Sequence, residues 1–95
     1  MAVWICHPHP EVRKWVVSRA RNGYVGLLQS FEAAIDYAAE DDNWDGRSGQ
    51  YAFADYIVSP FPCTYSMIVK FRIEPAYITV VGLAVESEGL AFTVE

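Results

Sequence analysis

Residues Tyr65 to Ile73 constrain the fold more than any other segment, because Tyr65, Met67, Val69, Phe71 and Ile73 alternate with Ser66, Ile68, Lys70 and Arg72. A period of two puts successive side chains on opposite faces of an extended chain, so the segment reads as a half-buried strand. Glu74-Pro75-Ala76 turns the chain. Tyr77 to Val85 is apolar in both phases apart from Thr79 and Gly82, the pattern of a strand inside the sheet and covered on both sides. Ser87-Glu88-Gly89 turns it again into a last strand, where Leu90, Phe92 and Val94 alternate with Ala91, Thr93 and Glu95. Tyr51 to Val58, closed by Ser59-Pro60-Phe61-Pro62, is a further strand candidate. The carboxy-terminal half is thus expected to be an antiparallel meander of three to four strands.

The amino-terminal half has a different period. Ala2 to Cys6 is a short run of strand formers that ends at His7-Pro8-His9-Pro10. Pro10 suits a first helical position, Glu11 follows it, Arg19 and Arg21 close the segment, and Asn22-Gly23 lies beyond, so a helix is expected over 10–21. Val12, Trp15, Val16 and Ala20 form its apolar stripe. Tyr24, Leu28, Phe31, Ile35 and Ala38 recur at helical spacing, which predicts a second helix over about 24–40 and an αα-hairpin. A strand over 24–28 followed by a shorter helix capped by Ser30 is the competing reading. Glu40 to Gln50 is dense in turn formers and reads as a surface loop. The expected fold class is α+β: a short amino-terminal strand, two helices, then the meander, with the helices packed on one face.

At 95 residues the chain has room for one core, so 1–95 is expected to be a single domain. Its composition, 53% hydrophobic and 15% aromatic, excludes a disordered or solvating chain, which lacks the apolar area to fold. The formal net charge of −5 argues against general affinity for nucleic acid or anionic membranes, both of which need a basic footprint. No stretch is apolar enough to span a bilayer, and Met1-Ala-Val-Trp-Ile-Cys lacks the pattern of a secretory signal; the expected compartment is the cytoplasm. Cys6 and Cys63 are then expected to be reduced core residues rather than a disulfide.

Several constellations point to chemistry, each beside a plainer alternative. Asp41-Asp42-Asn43-Trp44-Asp45-Gly46 holds a D-x-N-x-D-G pattern, in which Asp41, Asn43 and Asp45 are candidate calcium ligands. The twelfth position of such a loop is Ala52 rather than the bidentate Glu, and an Asx-rich turn is the plainer reading. Trp44 in that loop is either tucked onto the core or a contact residue. Cys6-His7-Pro8-His9 offers three metal-binding side chains but no fourth partner, and the end of a strand leading into a helix explains it equally. Phosphate-cradling glycines, nucleophile elbows and H-E-x-x-H are absent, so no cofactor is expected.

Phe61-Pro62, then Lys70-Phe71-Arg72-Ile73-Glu74, then Ile78-Thr79-Val80-Val81-Gly82-Leu83-Ala84-Val85 resemble the ParE/RelE toxin superfamily, with its Phe-Pro, aromatic-Arg-apolar and hydrophobic strand patterns. The resemblance implies a strand, an α-hairpin and a curled antiparallel sheet, and an action on ribosome-bound mRNA or on gyrase. It carries over Lys70 and Arg72; where active members place basic residues after the penultimate strand, this chain has Glu86-Ser87-Glu88.

Three functional readings follow. The first is a non-enzymatic module that binds a protein partner or self-associates as a homodimer. The second is a diverged toxin, which requires Arg13, Lys14, Arg21, Lys70 and Arg72 to converge on one patch. The third is a calcium-binding module built on Asp41, Asn43 and Asp45. The candidate partner-binding residues are Arg13, Lys14, Arg21, Trp44, Lys70 and Arg72.

Overall fold

The computed structural model describes residues 2–58 and 65–94. Phe61-Pro62 and Cys63, which carry part of the resemblance and the thiol pairing, lie outside the described residues. The elements are β1 (Ile5–Pro8), α1 (Pro10–Arg21), α2 (Leu27–Ala38), β2 (Trp44–Ser48), β3 (Tyr51–Val58), β4 (Tyr65–Ile73), β5 (Tyr77–Val85) and β6 (Leu90–Thr93). Single turns of 3₁₀ helix at Asp41–Asn43 and Glu86–Glu88 lead into β2 and β6. The protein is α+β, with two helices laid on one face of a mixed six-stranded sheet.

Strands run in the order β1-β5-β4-β3-β2, and β6 also pairs with β5. β1 is parallel to β5 over Tyr77 to Val80, and β6 is antiparallel to it over Gly82 to Val85. Since β4 takes the other edge of β5, β1 and β6 lie end to end along one side of it. The meander β3-β4-β5-β6 is where the alternation places it. The register opposes Phe71 to Ala52 on β3 and to Val80 on β5, all three on the helix side.

Local chemistry explains both ends of α1. His9 caps it, its Nδ1 accepting from the Glu11 N–H at 3.1 Å, and Pro10 occupies the first turn, where a missing N–H costs nothing. Asn22 closes it by donating to the Ser18 carbonyl at 2.7 Å, and Gly23 at φ +115° redirects the chain in a conformation that a side chain would oppose. Val12 and Val16 from α1, and Leu27, Phe31, Ala34 and Ala38 from α2, meet Met67, Val69, Phe71, Ile78, Val80 and Leu83 from the sheet in one core. No helix among the described residues is long and apolar enough to cross a membrane.

Four expectations need correction. Residues 24–26 are neither helix nor strand: the Tyr24 N–H bonds back to the Arg19 carbonyl and the Leu27 N–H to the Tyr24 carbonyl, so α2 starts three residues later than its periodicity suggests. The amino-terminal strand runs over Ile5–Pro8 rather than 2–6, because pairing with Tyr77–Val80 sets its limits. Pro8 is tolerated because β1 has β5 on one side only.

The third correction concerns Glu40 to Gln50, where most of the expected loop is β2. Trp44 to Ser48 forms a hairpin with β3 through Gly49 at φ +61°, and the Asp45 carboxylate accepts the Asp55 N–H at 3.0 Å. Turn-forming composition did not reveal a strand whose backbone bonds come from its neighbour. Finally, β5 is covered by helices on one face only. Gly82 and Ala84 face the other side, where β4 and β6 shield them without any second layer.

Candidate interaction surface

A sheet covered on one face leaves its other face to solvent, and here that face is built from alternate residues of five strands. Register assigns to it Ile5 and His7 of β1; Phe53, Asp55 and Ile57 of β3; Ser66, Ile68, Lys70 and Arg72 of β4; Tyr77 and Thr79 of β5; and Ala91 and Thr93 of β6. Val3 continues the same alternation just ahead of β1. Six large apolar side chains are exposed among the described residues, from Phe53 at 37% to Val25 at 85%. Five of them, Val3, Ile5, Phe53, Ile57 and Tyr77, lie on this face. Single exposed apolar residues are ordinary on any surface, but their concentration on one face is not.

Between Phe53, Ile68, Lys70, Ala84, Ala91 and Thr93 runs a shallow apolar groove of about 250 Å³. Gly82 forms its floor, and an added Cβ there would lie 2.9 Å from the Phe92 carbonyl oxygen. Polar groups rim it. The Lys70 ammonium sits 4.7 Å from the centre of the Tyr51 ring, and Arg72 pairs with Glu74, whose hydrogen bond raises the guanidinium pKa further.

The five basic residues that the toxin reading requires together are held on opposite sides of the molecule. Arg13, Lys14 and Arg21 line an open groove of about 670 Å³ on α1 with Pro10, Val17 and Ser18, in the helix layer. Arg13 reaches Glu32 there at 4.0 Å across an exposed gap, a contact worth little. Lys70 and Arg72 share the open face of the sheet, with the core between them and α1.

Trp44 is half-buried and packs against the core. Its indole Nε1 donates to the Ala38 carbonyl at 2.8 Å, and its ring lies 5.0 Å from Phe71 and 5.6 Å from Trp4. The three candidate calcium ligands turn to separate backbone groups rather than to a common centre. Asp41 accepts from the Ala2 N–H, Asn43 donates to the Tyr37 carbonyl, and Asp45 accepts from Asp55. Among the described residues no group of three or more His, Cys, Asp or Glu side chains is arranged to hold a metal ion.

The Cys6-His7-Pro8-His9 run is split by strand alternation. Cys6 points to the helix side and packs against the core, His7 faces outward with its ring 5.8 Å from Tyr77, and His9 caps α1. Burial, with the nearby Asp36 charge adding to it, pushes the Cys6 thiol up to about 12, so it remains protonated at neutral pH. In a Cys63→Ser background, alkylation of Cys6 by iodoacetamide at pH 8 is expected to run more than about 100-fold below the rate of the unfolded chain. Equal rates would place the thiol at the surface.

The sequence reading missed Val3, Ile5, Phe53, Ile57 and Tyr77. Two helices of this size cover one face of a sheet, so strands apolar in both phases signal an uncovered apolar surface once the helix count is known. No protein-family model matches the chain, and no curated protein or solved structure is significantly similar to it.

Proposed function

We propose that the chain is a small non-enzymatic protein-interaction module whose binding surface is the open face of its sheet. The observation that carries this reading is the gathering on that face of five of the six large apolar side chains exposed among the described residues. Apolar area of this kind gains by leaving water, and polar groups at its rim confer orientation. Side chains suited to chemistry are engaged in holding the fold: His9 as a helix cap, Asn43 and Asp45 on backbone groups, Cys6 as a protonated core thiol. With the basic residues divided between two faces, the toxin reading keeps only Lys70 and Arg72 on a shared surface.

Site-specific photo-crosslinking in cells tests the module. A benzoylphenylalanine in place of Phe53 is expected to trap a protein adduct on irradiation, whereas the same group at Val25, exposed but outside the sheet face, is expected to trap none. Adducts of equal yield at the two positions, or none at Phe53, would remove the open face as a binding surface.

A further inference from the structure

We infer that the occupant of the open sheet face is a second copy of this chain, packed face to face about a two-fold axis so that Lys70 of each copy meets Asp55 of the other. This rests on the reading of that face as the binding surface.

The chain carries a net −5, and copies of it repel across most orientations. Acids crowd Glu40-Asp41-Asp42 at the end of the helix layer and Glu86 and Glu88 before β6. The open face differs. Lys70 and Asp55 project from its middle strands with opposite signs, and Arg72 is neutralised by Glu74. A surface holding one charge of each sign near its centre is complementary to itself under two-fold rotation, which an isologous interface requires.

Size is compatible with such packing. The molecule measures 36 × 26 × 19 Å, so its broadest face covers at most about 940 Å², against the roughly 800 Å² per partner of a stable interface.

Sedimentation velocity on the purified protein, from about 1 µM to about 1 mM, covers the relevant affinities. The wild type is expected to move to twice the chain mass. Lys70→Asp and Asp55→Lys are each expected to weaken self-association by about tenfold or more, and an equimolar mixture of the two to restore it as a heterodimer. A wild type that stays at the chain mass throughout, or a mixture no more associated than its components, overturns the inference.

Far-UV circular dichroism verifies that each variant is folded. Should either fail that check, Phe53→Lys on the face, expected to dissociate the dimer, is compared with Val25→Lys off it, expected to leave the dimer intact; equal behaviour of this pair overturns the inference. The crosslinking experiment separates the two levels of the argument. A Phe53 adduct of another mass, with purified protein monomeric, ends the second-copy inference and leaves the module standing; no adduct at all ends the module.

Discussion

Phe71→Ala is expected to lower folding stability by about 3–5 kcal/mol, the range for truncating a fully buried aromatic side chain in a core that cannot collapse around it. Phe71 has no solvent exposure and lies on the central strand β4, two residues before its end. Its cross-strand neighbours on the helix side are Ala52 and Val80, and the Trp44 ring is 5.0 Å away. The alanine opposite it offers little volume to fill the space left behind. Domains of this length are stable by roughly 5–14 kcal/mol, so the variant loses a large fraction of the total. Urea denaturation followed by tryptophan fluorescence measures the loss directly, since Trp44 reports on the same contact. Phe53→Ala on the opposite face is the control, expected to change monomer stability by less than about 1 kcal/mol. Similar losses for the two would mean that the faces are assigned wrongly.

The second large effect is expected at Gly82. A Cβ at this position would lie 2.9 Å from the Phe92 carbonyl oxygen and 2.9 Å from Cβ and Oγ1 of Thr93. The carbonyl is backbone and cannot swing aside, so Gly82→Val must push β6 away from β5. At stake are the register from Gly82–Thr93 to Val85–Leu90, the bond from the Val94 N–H to the Val81 carbonyl, and the stacking of Phe92 on Trp15 at 5.3 Å. Overpacking alone costs about 1–3 kcal/mol, and release of a strand that joins sheet to helix adds to it. Hydrogen exchange distinguishes local from global damage. Amides of residues 90–94 should lose protection while those of β3 and β4 keep theirs. Unchanged protection over 90–94 would show that the close approach at Gly82 is relieved without moving β6.

Legibility in the sequence differed between the two halves for a physical reason. The alternation of Tyr65 to Ile73 is a local consequence of one buried face, so the limits of β4, its turn at Glu74-Pro75-Ala76 and the long partner β5 could be read without any knowledge of contacts. The ends of α1 were equally legible, because Pro10, Glu11, Arg19, Arg21 and Gly23 act within a few residues of where they stand. β2 was not legible. Trp44-Asp-Gly-Arg-Ser has turn-forming composition, and only its ladder with β3 and the anchoring of Asp45 on the Asp55 amide make it a strand.

The same division holds for the candidate surface. Composition determined that one domain with a substantial core and an acidic net charge would form, and hydrophobic period determined its α+β class. Which apolar residues remain outside was decided by the tertiary structure. Phe53, Ile57 and Tyr77 belong to strands that also carry apolar residues in the opposite phase, and no local signal tells which phase the helices will cover. That choice follows from the packing of α1 and α2 against one side of the sheet. The same packing separates Arg13, Lys14 and Arg21 from Lys70 and Arg72 and brings Asp55 and Lys70 onto one open face.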